Sequence, residues 1–252
     1  MPTLTQRLAN PTRFMSLSTA LLPWVAGLAA ITIGWGLYLT VSAPPDYQQF
    51  DTVKIMFIHV PCAWLAMATY GLVAISSFGY VVFRHPLADV SARTAAPIGA
   101  AFTLLALVTG SLWGKPMWGT FWVWDARLTS VLILFFLYLG LIALRSSIDD
   151  EALAALLTSI LAIVGVVILP IIKFSVDWWW TLHQPSTNFT QTVHASFRWP
   201  LLVMTAGFTL MLLALHMKAM QNEILRRRIK SLTAMAVDRA SATSGAARTV
   251  VE

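Results

Sequence analysis

The sequence predicts an all-α, polytopic membrane protein, a bundle of six transmembrane helices. Of its 252 residues 58% are hydrophobic and 11% are charged, whereas a soluble domain carries about 25% charged residues. Six stretches also lack Asp, Glu, Lys and Arg over lengths near the ~20 apolar residues that cross a bilayer. They cover residues 17–40, 55–83, 94–114, 128–144, 152–172 and 199–217.

The first stretch is predicted to be an uncleaved helix, because its uncharged run exceeds the ~7–15 apolar residues of a cleaved signal peptide. The fourth stretch is the shortest. Since six spans return the chain to its starting side, both termini share one side. The basic run 226–230 directly after the last span places that side in the cytoplasm.

This topology divides the chain into three parts. Residues 1–16 form a cytoplasmic N-terminus, residues 17–217 a six-helix membrane domain, and residues 218–252 a basic, disordered cytoplasmic tail. The net charge of +6 comes largely from that tail. No nucleic-acid partner is therefore expected, and we expect the run 226–230 to bind anionic membrane lipid.

An interfacial segment rich in tryptophan, residues 113–125, lies on the outer face in this topology. We expect an interfacial or re-entrant segment, because Pro116 and two glycines disfavour one continuous helix. Its aromatic rings form either a membrane-interface belt or a platform for a flat, apolar ligand. The candidate platform residues are Trp113, Gly114, Trp118, Gly119, Trp122, Trp124 and Asp125. Asp125 is expected to pair with Arg127, Lys115 or indole N–H groups, because a lone carboxylate at that depth is costly.

Two histidines, His59 and His183, fall on the same outer face beside tryptophans. Neutral imidazoles in such a place suit axial ligation of a haem iron, although an isolated interfacial histidine is more often structural. His194 lacks an equally aromatic neighbourhood and is interpreted as structural. A zinc site fits less well, and no hydrolytic motif is present. Arg127 and Lys54 are candidate partners for haem propionates or local charge.

Three sequence motifs carry a family resemblance. The segment WGKPMWGTFWVWDARLTS resembles the tryptophan-rich "WWD" signature of haem-handling proteins of cytochrome c maturation. KIMFIHVPCAW around His59 and WWWTLHQPST around His183 are similar to the two histidine motifs of the haem exporter protein C family (CcmC). The resemblance extends over nearly all of residues 17–217.

The resemblance implies a protein of the bacterial inner membrane with its site on the periplasmic face. It implies that haem b is held transiently and non-covalently between His59 and His183, while segment 113–125 supports it. The chain would deliver haem to the periplasmic chaperone CcmE, within an ABC-type complex with CcmA, CcmB and CcmD. Whether this counts as enzyme activity is left open, and no protein group is assigned as catalytic.

Two other functions stay open at this point. A b-type cytochrome subunit that oxidises quinol would also use membrane histidines, although its ligands are generally deeper in the bundle. A transporter core would place polar groups or broken helices near the membrane midplane.

Overall fold

The computed structural model describes residues 10–184 and 193–249, and the side chains in these ranges except those of 238 and 240–249. The described residues form seven α-helices and one short 3-10 helix, Asp51–Ile55. The α-helices are α1 Pro11–Ser42, α2 Met56–Phe83, α3 Pro86–Trp118, α4 Ala126–Ser147, α5 Glu151–Gly165, α6 Ile168–Trp178 and α7 Ala195–Thr249. The prediction of an all-α fold is confirmed.

Six helical segments in the described ranges are long and apolar enough to cross a membrane, as predicted. The fourth, α4, is the shortest at 22 residues. The fifth consists of α5 and α6 in series, with a tight turn at Val166 and Val167 between them. Pro170 accounts for the break, because its ring displaces the carbonyl four residues earlier and it donates no hydrogen bond.

Helices α2 and α3 pack along each other and form the centre of the bundle, with α4 to α7 around them. Tyr70, Tyr138 and Phe57 are fully buried there, and the Tyr138 hydroxyl donates to the Ala66 carbonyl at 2.8 Å. Cys62 is buried in the same core.

Helix α1 lies at the edge of the bundle and packs against α7. Gly207 of α7 permits this close approach, because a Cβ there would lie only 2.8 Å from Ile33 Cγ1. Most of α1 is left exposed and apolar, as expected for a helix that faces lipid.

An ion-pair network joins the helices at the end of the bundle where α2, α4 and the membrane part of α7 finish. Arg145 binds the buried Asp89 through both carboxylate oxygens, at 2.7 and 3.0 Å, and Arg227 binds the same carboxylate. Glu223 pairs with further arginines, Arg93 among them at 3.2 Å. The network fixes α7 to α3 and α4.

The expected disordered tail is not what the structure has after position 218. Helix α7 continues unbroken to Thr249. Alanine, lysine and arginine favour a helix. The ion pairs of Arg226 and Lys230 with Glu151 hold the part of α7 just after position 218 to α5. Arg226, Arg227 and Lys230 thus bind carboxylates of the chain itself, where the sequence predicts lipid contacts.

Candidate functional site

A cavity of about 540 Å³ opens at the other end of the bundle. This size is within the range of about 300–1,000 Å³ typical of small-molecule sites. Its walls come from α2, α3, α4, α6, the start of α7, the 3-10 helix and four loop segments, which contribute residues 46–49, 122, 183–184 and 193–194. Its deeper part is apolar, and the lining there includes Ala63, Ala66, Met67, Val131, Leu134 and Leu201.

His59 and His183 meet in the wall of this cavity. Their ring centroids are 6.3 Å apart and the ring planes differ by 37°. Two imidazoles that share one metal along a common axis have centroids about 6 Å apart, since each metal–nitrogen bond is about 2 Å and each nitrogen lies about 1 Å from its ring centre. The observed separation therefore fits one metal ion bound by both rings.

The Nδ1 atom of each ring is engaged with a protein oxygen. His59 Nδ1 lies 3.1 Å from Thr109 Oγ1, and His183 Nδ1 lies 2.8 Å from the Gln184 carbonyl oxygen. These contacts orient the rings and do not use Nε2, the other nitrogen that can bind a metal.

Burial lowers the pKa of the His183 imidazole below its ordinary value, and the nearby Arg127 guanidinium acts in the same direction. The ring is therefore neutral at neutral pH. A neutral imidazole is the form that binds metal.

Tryptophan side chains from α2 and segment 113–125 form one side of the cavity. Trp64, Trp113, Trp118 and Trp122 line it, and Trp113 and Trp118 pack edge to face at 5.2 Å. The Trp122 Nε1–H group is buried and has no hydrogen-bond partner within the described parts of the chain. The indole N–H can therefore donate a hydrogen bond to a polar group of a bound ligand, in addition to the apolar contact that the ring makes.

The backbone of segment 113–125 differs from the prediction in its first half. Helix α3 continues through Pro116 to Trp118, and the irregular stretch covers only the remaining residues. Pro116 sits in the last turn of α3 and does not break the helix. The end is set by Gly119, whose φ of +77° is a conformation that glycine adopts without strain.

The remaining predicted platform residues have separate roles. Gly114 is buried under Trp118, where a Cβ would lie 3.0 Å from the indole ring. Trp124 stacks edge to face on Trp122 at 5.5 Å, but it is 75% exposed and is not part of the cavity wall. The structure therefore brings Trp113, Trp118 and Trp122 to the cavity and leaves Trp124 on the outer surface.

Asp125 does not form the expected ion pair with Arg127 or Lys115. One of its oxygens accepts from the Leu128 N–H at 2.8 Å and caps α4, and the other accepts from the Thr181 hydroxyl. Thr181 Oγ1 in turn accepts from the backbone N–H of His183 at 3.1 Å. The carboxylate thus connects segment 113–125 to the loop that carries His183.

The two predicted propionate partners are placed differently. Arg127 lines the cavity, while its Nε donates to Ser175 Oγ at 2.7 Å. Lys54 is not among the lining residues. Its ammonium group is held by Asp51 at 2.9 Å and by the Val41 carbonyl at 3.2 Å.

Sequence reasoning missed the loop before the 3-10 helix, whose residues 46–49 line the cavity. Asp46 accepts from the backbone N–H groups of Gln48 and Gln49, and the Gln49 side chain accepts from Trp113 Nε1 at 2.8 Å. An aspartate whose carboxylate can accept from the backbone N–H groups two and three residues later is typical of a turn. The sequence does not indicate which part of the molecule such a turn contacts.

His194, interpreted as structural from the sequence, also lines the cavity. Its Nδ1 lies 2.7 Å from the Ser196 hydroxyl and 3.4 Å from the Ser196 backbone nitrogen at the start of α7. A third histidine therefore faces the site, with its Nδ1 held by the first turn of the helix that follows it.

Comparison with known proteins gives the family. The profile of the family described as "Heme exporter protein C" matches residues 4–235. The chain belongs to the heme exporter protein C family. The "Heme exporter protein C" of Bradyrhizobium diazoefficiens is 58% identical over 240 residues, which are 94% of this chain and 91% of that protein. The protein of the same name in Escherichia coli K12 is 46% identical over 87% of this chain and 90% of its own length.

Similarity to the heme exporter protein C family also extends beyond bacteria. A Marchantia polymorpha protein described as "Putative cytochrome c biosynthesis ccmC-like mitochondrial protein" is 46% identical over 80% of this chain and 87% of its own length. The resemblance first seen in three short motifs is thus confirmed over nearly the whole chain.

Proposed function

We propose that this protein binds haem b in the cavity, transiently and without a covalent bond, with His59 and His183 as the axial ligands of the iron. The observation that carries the proposal is the 6.3 Å separation of the two imidazoles in the wall of one aromatic cavity. Membership of a family named for haem export supports haem as the ligand.

The remaining lining suits the other parts of a haem molecule. Indole rings and the apolar floor match the porphyrin ring. Within the part of the chain that the structure describes, Arg127 has N–H groups beyond those that donate to Ser175 and Lys173, and the Trp122 N–H has no hydrogen-bond partner. Both are suited to bind propionate carboxylates.

We place the cavity on the periplasmic side of the bacterial inner membrane and both termini in the cytoplasm. The distribution of basic residues supports this orientation, because Arg84, Arg93, Arg145 and the run 226–230 are all at the end opposite the cavity. Labelling with a membrane-impermeant maleimide checks it. A cysteine introduced at Gln184 should react in intact spheroplasts, and one introduced at Arg239 only after permeabilisation.

The protein presents haem to the periplasmic chaperone CcmE, and it works within an ABC-type complex with CcmA, CcmB and CcmD. Two imidazoles clamp the iron and tryptophans cover part of the porphyrin, so an edge can remain reachable from the aqueous side. Exposed Trp124, beside the cavity wall, is suited to contact the incoming chaperone. Release requires that the axial bonds weaken when the chaperone docks.

Transfer can be tested with the haem-loaded protein in proteoliposomes and the soluble domain of CcmE. The expected result is time-dependent transfer of haem from membrane to chaperone with the wild-type protein and none with His59→Ala. The matched control is His85→Asn, which alters a histidine at the opposite end and keeps a side chain able to cap α3. Equal transfer with wild type and His59→Ala would contradict the proposal.

A further inference from the structure

Three histidines face the cavity, but a neutral imidazole can bind iron only through the nitrogen that carries no proton. Each neutral ring has one N–H donor and one bare nitrogen. The hydrogen-bond partner of one nitrogen therefore determines which nitrogen is available to a metal.

The partner of His59 is Thr109, a residue of α3 outside the cavity lining. The Thr109 hydroxyl donates its proton to the Leu105 carbonyl at 2.6 Å. Its oxygen is then left to accept from His59 Nδ1, 3.1 Å away. The proton of the ring is thus on Nδ1, and Nε2 is bare.

The next residue of α3, Gly110, limits where the ring can lie. A Cβ at this position would be 3.0 Å from His59 Cε1 and 3.5 Å from Nδ1. The imidazole therefore rests directly against the glycine backbone, and any larger side chain would push it away from α3. Thr109 sets the tautomer of the ring and Gly110 sets its position.

The three histidines differ in the partner of Nδ1. Nδ1 of His183 faces a backbone carbonyl, which can only accept, so its tautomer is fixed without a side chain. Nδ1 of His194 contacts both the hydroxyl and the backbone nitrogen of Ser196, at 2.7 and 3.4 Å, so its partner is a neighbour in its own segment. Of these three rings, His59 has an Nδ1 partner that is a side chain of a neighbouring helix, and this side chain can be replaced without altering the cavity lining.

From this arrangement we infer that Thr109 and Gly110 are positioning residues for haem ligation. Thr109 keeps Nε2 of His59 free of a proton, and Gly110 lets the imidazole ring pack against α3. The inference rests on the proposed function, since it concerns how the same ligand is prepared. Thr109 does not line the cavity, so it acts through His59 and not through contact with haem.

The first test uses the haem-free protein in nanodiscs, labelled with ¹⁵N-histidine. The His59 signals are identified by their loss in His59→Asn. We expect Nδ1 protonated and Nε2 unprotonated in the wild type and in Thr109→Ser, which keeps the hydroxyl. We expect a shift toward the opposite tautomer in Thr109→Val, which keeps the shape and removes the acceptor. An Nε2-protonated His59 in the wild type, or identical spectra for all three proteins, would overturn the inference.

The second test measures haem affinity and the absorption spectrum of the loaded proteins. Loss of a hydrogen bond behind a ligand typically weakens metal binding about 10–100-fold, so we expect at least about a 10-fold loss for Thr109→Val and near wild-type behaviour for Thr109→Ser. Gly110→Ala should alter the spectrum by displacing the ring. Unchanged haem binding in Thr109→Val, while His59→Ala abolishes it, would contradict this inference alone. Unchanged binding in His59→Ala would instead contradict the proposed function.

Discussion

The two ends of the bundle use buried polar groups in opposite ways. At the ion-pair end, Asp89 and Glu223 are each bound by more than one arginine, so their charges are satisfied within the protein. At the cavity end, His59 and His183 are oriented through contacts of Nδ1, and the buried Trp122 N–H has no hydrogen-bond partner among the described residues. Polar groups that form ion pairs with each other hold helices together. Polar groups that are held in place but still have a donor or acceptor available can bind a ligand.

The largest effect is expected at the ion-pair end. Asp89→Ala would leave the buried Arg145 without its carboxylate partner and remove one of the two carboxylates that bind Arg227, and breaking a buried pair costs about 3–5 kcal/mol. Thermal unfolding in detergent should show a clear loss of stability. Asp149→Ala, an exposed carboxylate beyond the end of α4, is the control and should change little. If folded Asp89→Ala lost its haem spectrum at wild-type stability, the contrast between the two ends would be wrong.

Asp125 belongs to the cavity end, and its two hydrogen bonds can be separated. Thr181→Val removes the hydroxyl that joins the carboxylate to the His183 loop and leaves the other carboxylate oxygen to cap α4. We expect little change in stability and a weaker, altered haem spectrum, because the His183 loop loses its anchor. Thr181→Ser, which keeps the hydroxyl, is the matched control, and a wild-type spectrum in Thr181→Val would rule out the role of this connection.

Arg127 and Lys54 sharpen the comparison within the cavity end. Loss of a hydrogen bond to a charged group costs about 1.5–3 kcal/mol, so Arg127→Met should weaken haem binding about 10-fold or more. Lys54→Met breaks only a partly exposed pair outside the cavity, worth about 0–1 kcal/mol. Haem titration of both purified variants distinguishes them, and equal losses would show that Lys54 also reaches the ligand.

The smallest effect on haem binding is expected at Trp124. Because it is 75% exposed and outside the cavity wall, Trp124→Ala should leave haem affinity within about twofold of wild type, as is usual for surface substitutions. Trp122→Phe removes the N–H that has no hydrogen-bond partner among the described residues, and it should lower haem affinity more. A haem titration that ranks the two variants in the reverse order would contradict the assignment of the platform.

The sequence was enough to predict the six spans and to bring His59 and His183 to one face, since both follow from apolar length and the order of crossings. It could not show that Lys54 binds Asp51 and the Val41 carbonyl, because the depth of a residue is readable from the sequence but the direction of its side chain is not. Thr109 is at the depth of His59 in the neighbouring span, yet the contact depends on helix rotation. The helical tail was missed because its acidic partners Asp89 and Glu151 are distant in sequence.

The most direct test of the central claim is an electron paramagnetic resonance spectrum of ferric haem in the purified protein. We predict a low-spin signal typical of two axial imidazoles, which is lost in His59→Ala and in His183→Ala and retained in His85→Asn. A high-spin signal in the wild type, or a low-spin signal that survives either substitution at the cavity, would contradict the claim that these two rings bind one iron.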